Sequence, residues 1–205
     1  MQNFDFTSSV TFMLIAINTV VSLLALYGVP GLLEKGYLKP HRVTREHTWY
    51  ELFTSGFLHA NFGHLFVNMF TLYFFGRIME AILGPIYFAG LYLTALVVAG
   101  IPSVIKFKNE PNYATLGASG AVGGVLFAYI FLFPLESIYL LLIPIPIPAF
   151  VFGVLYLMYS MYESKQARGK INHEAHIAGS VWGIVYLLLF VPNTIDHVLT
   201  VFGLL

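Results

Sequence analysis

An all-α membrane protein with six transmembrane helices is the fold class this 205-residue sequence predicts, on its composition, its segment lengths and its punctuation. The chain is 58% hydrophobic and 17% aromatic, with 10% charged residues and a mean hydropathy of +0.79, too apolar for an ordinary soluble domain. A hydrocarbon core of about 30 Å takes about 20 apolar residues as helix, and the chain divides into six stretches of roughly that kind, set apart by polar residues, Gly and Pro. No internal repeat or low-complexity tract interrupts them, so residues 1–205 read as a single six-span domain.

The spans are expected at residues 9–27, 62–82, 86–105, 118–133, 147–162 and 176–191. No basic residue precedes the first and no small-residue cleavage site follows it cleanly, so it reads as a retained anchor. The connection 28–61 is the longest polar one, with Pro30, Pro40 and charges of both signs, and belongs at the membrane surface. Between the second and third spans, Gly84 ends one helix and Pro85 opens the next. Pro134 closes the fourth. Pro144, Pro146 and Pro148 alternate with isoleucines, which removes backbone donors and forbids helix, so residues 138–148 are expected to be extended and interfacial. The fifth span is left short, and its neighbours must partly cover it.

Lys plus Arg equals Asp plus Glu at 10 each, so no basic excess points to a nucleic-acid partner. The absence of cysteine excludes disulfides, thiolate metal sites and a thiol nucleophile.

Gly117-Ala118-Ser119-Gly120 puts a lone hydroxyl at the mouth of the fourth span. A serine there can be inert, bonded back to its own helix or packed where helices touch. At a helix start, though, backbone N–H groups are unpaired and can face an oxyanion, and Gly117 frees the backbone before it. His176 opens the sixth span. Gly120 with Gly124, and Gly179 with Gly183, make small-residue faces that would bring Ser119 and His176 to one depth. His64 and Asn68 project from one face of the second span, either bonded to each other and a neighbouring carbonyl or donating to a tetrahedral oxyanion. His59 with His64, and His173 with His176, raise a metal site. Zinc takes three or four protein ligands and no HExxH motif is present, so no metal is expected. His41, His47 and His197 read as surface residues.

These motifs, in this order on spans four, six and two, resemble the rhomboid family of intramembrane serine proteases over nearly the whole chain. Gly117-Ala118-Ser119-Gly120 is similar to the family's nucleophile motif, and Ala175-His176-Ile177-Ala178-Gly179 with Gly183 to its base motif. His59, His64 and Asn68 resemble the oxyanion-side motif, and Gly76-Arg77-Ile78-Met79-Glu80 with Gly84 the end of span two. The resemblance implies that Ser119 is the nucleophile and His176 the general base. It makes His64, Asn68 and the Ser119 N–H oxyanion donors, with His59 and Gly117 beside them, and it requires neither an acidic third member nor a cofactor. The implied substrates are transmembrane helices of other proteins, which must unwind locally because a helical peptide bond is hidden. Connections 28–61 and 164–175 are the expected covers over a water-reachable cavity.

Two positions depart from the family pattern. The aromatic residue often found four after the serine is Gly123, and the loop motif Trp-Arg is Trp49-Tyr50. Two rival classes are weighed against a protease. A catalytically silent rhomboid-like protein that binds transmembrane partners would tend to lose Ser119 or His176, and a transporter would be expected to show inverted halves. Orientation draws two conflicting expectations. Connections 28–61, 106–117 and 164–175 carry all the Lys and Arg residues except Arg77, which makes their side cytoplasmic by charge. Resemblance to bacterial rhomboids implies an active site opening outward from a bacterial inner (plasma) membrane, and this is the reading preferred.

Overall fold

The computed structural model describes residues 9–140, 143–166 and 172–205. Helix α1 (Val10–Leu23) starts where Ser9 turns extended and its hydroxyl accepts from the Phe12 N–H, and it runs on through one wide π turn at Leu24–Gly28. The connection that follows is more ordered than its polar composition suggests. It holds three short helices, α2 (Leu32–Gly36), α3 (Pro40–Glu46) and α4 (Glu51–Thr54). Beneath them the fully buried Glu51 accepts from the Lys39 backbone N–H at 2.8 Å and from Arg42 Nε at 2.5 Å. A buried carboxylate is tolerated because both oxygens are occupied.

Helix α5 (Phe62–Thr71) passes through a π turn, Leu72–Gly76, into α6 (Arg77–Leu83), making one span of 22 residues. Gly84, at φ 78°, ends it by accepting a left-handed backbone, and Pro85 opens α7 (Pro85–Phe107). Helix α8 (Ser119–Leu132) is followed by a hairpin in which β1 (Ser137–Leu140) pairs antiparallel with β2 (Ile143–Pro148). Pro144, Pro146 and Pro148 remove backbone donors from β2, and the pairing shifts register between Ile138 and Leu140. Residues 141–142 of the expected extended segment lie outside the described residues. Helix α9 (Ala149–Gln166) is followed, beyond residues 167–171 of the expected cover 164–175, which also lie outside them, by α10 (His173–Phe190). The chain then bends by 112° into α11 (Thr194–Val201).

Each of the six expected spans falls largely on a helix, but the fifth starts at Ala149 because Ile147 and Pro148 belong to β2, and with 18 residues it is not the short span expected. By length and composition three cross a membrane unaided among the described residues: Val10–Gly28, Phe62–Leu83 and Pro85–Phe107. Helix α10 joins them when counted with α11, and α8 is a shorter apolar helix. The sixth span begins earlier than expected, at His173, because Asn172 caps it, its side chain accepting from the Ala175 N–H at 3.1 Å.

Helices α7, α8 and α10 form the packed centre; α1 and α5–α6 lie against it, and α9 is peripheral. The polarity is inside-out relative to a soluble protein. Ile86, Ile105 and Leu189 are 83%, 66% and 65% exposed, which fits a hydrocarbon surround. Glu80, by contrast, is buried at the start of α1, where it accepts from the Val10 and Thr11 N–H groups at 2.6 and 2.9 Å. The Ser9 and Thr11 hydroxyls donate to it as well, at 2.7 and 2.6 Å. A carboxylate therefore closes the N-terminus of α1. Glu80→Ala should cost about 1–3 kcal/mol through the donors it strands. A clear drop in Tm in detergent is the expected reading, and an unchanged Tm would show that these donors find other acceptors.

Candidate active site

Ser119 is the first residue of α8, and the loop before it is held from three directions. The Gly117 N–H donates to the Ser55 carbonyl at 3.0 Å, and Leu38 and Thr115 exchange backbone bonds at 2.9 and 3.0 Å. The connection 28–61 is thereby fastened onto the serine loop. The third hold is His59. The Ala118 N–H points to its Nε2 at 3.4 Å, so Nδ1 carries the proton and donates to Ser22 Oγ at 2.8 Å. Ser22 in turn donates to the Phe57 carbonyl at 3.0 Å. Burial, with a smaller effect from neighbouring His64, lowers the His59 pKa to about 3, so this relay stays neutral at ordinary pH.

Gly117 has φ 128°, a backbone that L side chains rarely adopt, and a Cβ there would sit 2.5 Å from His64 Cε1. Glycine thus lets the His64 ring lie over the serine loop, with the His59 ring edge-on at 5.0 Å. Asn68 is buried, and its side-chain amide donates to the His64 backbone carbonyl at 2.9 Å. One of its two N–H groups is therefore used within its own helix.

His176 lies in the first turn of α10, with Nε2 2.8 Å from Ser119 Oγ. What brings the two together is contact between bare backbones. A Cβ on Gly179 would overlap the Gly120 carbonyl oxygen, and one on Gly183 the Gly124 carbonyl oxygen. On its other side α8 meets α7, where a Cβ on Gly120 would overlap that of Ala99 and one on Gly124 would lie 2.9 Å from that of Ala95. Small residues on three helices thus set the spacing at the site. Ser119 and His176 are both partly buried.

Three contributors escaped the sequence reading. Asn172 Nδ2 donates to Ser103 Oγ at 2.8 Å and to Thr115 Oγ1 at 3.1 Å, pinning the start of α10 to α7 and the serine loop. Its place just before an apolar run was a capping signal that could have been read. Glu174 pairs with Lys106 and accepts from Ser164 Oγ at 3.0 Å, tying the ends of α7, α9 and α10. Tyr156, on α9, stacks on His176 at 6.2 Å between ring centroids and 20° between planes. At the second departure, Tyr50 is exposed, and the loop holds an ion pair between the partly buried Arg42 and the buried Glu51. Among the described residues no three His, Asp or Glu side chains gather as a metal site.

A model of the rhomboid domain matches residues 46–193. The chain is 32% identical over 136 residues to rhomboid protein 1, mitochondrial, of Saccharomyces cerevisiae, covering 64% of this chain and 39% of that protein. It is 31% identical over 144 residues to rhomboid-like protein 12, mitochondrial, of Arabidopsis thaliana, covering 63% and 43%. It is also 31% identical over 94 residues to inactive rhomboid-like protein 8 of Arabidopsis thaliana, covering 45% and 27%. In each case the chain spans less than half of the relative.

If backbone contact sets the site, Gly179→Val and Gly120→Val should each force α8 and α10 apart with Ser119 and His176 unaltered. Loss of Ser119 reactivity toward a fluorophosphonate, in protein that still purifies as a monodisperse species, is the expected outcome. Full reactivity in both variants would show that the spacing does not depend on these faces.

Proposed function

The chain belongs to the rhomboid family, and we propose that it is a serine endopeptidase that cuts transmembrane helices of other membrane proteins inside the bilayer. The observation that carries this is the 2.8 Å approach of His176 Nε2 to Ser119 Oγ at the start of two helices. In this reading His176 takes the Ser119 proton as Oγ attacks a peptide carbonyl, then gives it to the leaving amine. Water hydrolyses the ester by the same route in reverse. Charge on the tetrahedral oxygen is met by the N–H groups opening α8, with His64 and Asn68 beside them. The nearby apolar surfaces suit a substrate that arrives through lipid, and no cofactor is required.

The second reading, a silent rhomboid-like protein that holds transmembrane partners, is favoured by the likeness to a relative named inactive. A fluorophosphonate probe separates the two. A protease should label at Ser119, whereas a silent binder should not label although folded.

Ser119→Ala and His176→Ala should each abolish cleavage of a transmembrane reporter in protein that remains folded, because the pair acts as one unit. More than a trace of turnover in either would remove the mechanism. Asn68→Ala should lower turnover by about 10²–10³ while labelling persists. A fall in Tm alone, with turnover per folded molecule unchanged, would reduce Asn68 to the bond it makes with His64.

For orientation, we propose that the site opens away from the cytoplasm of a bacterial cell. This rests on resemblance to bacterial rhomboids, since the relatives compared above are eukaryotic, two of them named mitochondrial. Lacking native cysteine, the chain accepts single probes cleanly. In intact cells, cysteines at Lys39 and Lys108 should react with an impermeant maleimide, and one at Glu136 only after permeabilisation. The reverse pattern would mean that the Lys and Arg distribution decides the topology.

A further inference from the structure

We infer that Tyr156 is the positioning residue that keeps the His176 ring in line with Ser119, so that alignment of the base depends on α9 being docked. This rests on the proposed Ser119–His176 dyad. Among the described residues the one hydrogen bond made by the His176 ring is that to Ser119, and a ring held at a single atom keeps a broad rotation about its second side-chain torsion. The stack with Tyr156, at 6.2 Å and 20°, lies within the separation where parallel-offset rings attract, and it restricts that rotation.

Tyr156 is itself braced. Phe152 stacks on it at 6.0 Å and Phe127 of α8 lies tilted against it at 5.5 Å. Phe152, Tyr156 and Tyr159 recur at helical spacing, and the Tyr159 ring meets His173 edge-on at 5.6 Å. His173 meets His176 edge-on at 5.8 Å. One face of α9 is thus an aromatic platform for both histidines at the start of α10.

Helix α8 does not supply that platform. The position four after Ser119 is Gly123, which carries no side chain, and a Cβ there would lie 3.3 Å from Ser180 Oγ and 3.8 Å from the His176 carbonyl oxygen. The aromatic surface therefore comes from a different helix, and a peripheral one. Val154, Leu155 and Met158 on its outer face are all more than half exposed. Moving α9 away from α10 would take the platform with it.

The test compares Tyr156→Phe and Tyr156→Leu in the full chain. Two rates are read: labelling by a small fluorophosphonate, which needs no helix to enter, and cleavage of a transmembrane reporter resolved into kcat and KM. Tyr156→Leu should slow labelling and lower kcat, each by about 2- to 10-fold, with KM and Tm little changed. Tyr156→Phe, which keeps the stack, should behave as the parent. Parent-like labelling in Tyr156→Leu with impaired cleavage would overturn the inference and assign α9 to substrate passage alone. Equal impairment of both variants with a lowered Tm would overturn it in favour of packing. A folded parent that does not label would sink the dyad reading itself, an outcome distinct from both.

Discussion

Contact between the bare backbones of α8 and α10 is the constraint on which the rest of the site depends. Helix pairs with ordinary side chains keep their axes about 8–10 Å apart, whereas here glycines on one helix face glycine carbonyls on the other, twice, one turn apart. Ser119 is the first residue of α8 and His176 lies in the first turn of α10, so the separation of the helices sets the separation of hydroxyl and imidazole. In lipid, apolar burial does not drive helices together, and close van der Waals contact between backbones takes its place. The geometry of the pair is therefore a consequence of packing. It also brings Gly123 against α10, where a Cβ would lie 3.3 Å from Ser180 Oγ.

Around that contact, polar groups act as fixed points because an unpaired one in hydrocarbon costs several kcal/mol. Glu80 closes the start of α1 and Asn172 the start of α10, while Glu51 locks the connection that lies over the serine loop. His59 joins α1 to the backbone of Ala118, the residue before the serine. The Glu80 and His59 bonds run between elements far apart in sequence, and those of His59 tie α1 to the serine loop.

The parts of the molecule that sequence revealed are those set by local rules. Gly84-Pro85, the apolar runs and the small-residue spacings each carry their structure within a few residues, and each of the six expected spans falls largely on a helix. The same spacings anticipated that Ser119 and His176 would lie at one depth, and they lie 2.8 Å apart. Tyr156 stayed hidden because a tyrosine in an apolar run looks like any other, and its stacking on His176 depends on how α9 packs. Glu51 stayed hidden for a similar reason, since a glutamate in a polar connection is ordinarily solvated. Helix α3 belongs with it, since that carboxylate accepts from the Lys39 N–H at its start and from Arg42 within it.

The length of α8 connects fold to chemistry. Its 14 residues span about 21 Å, short of the about 30 Å hydrocarbon core, so if α8 reaches one face of a bilayer it starts well below the other. The first backbone bond of the helix is that from the Val122 N–H to the Ala118 carbonyl, which leaves the N–H groups of residues 119–121 pointing out of the helix start. In hydrocarbon such an end is unfavourable unless an oxygen meets it. In the proposed protease, a water-reachable recess beneath connection 28–61 would meet this end and would bring to one point the donors, the partly buried hydroxyl and the water that acyl transfer needs. A longer α8 would satisfy the bilayer better and carry Ser119 out to bulk solvent, away from any peptide bond that arrives through lipid.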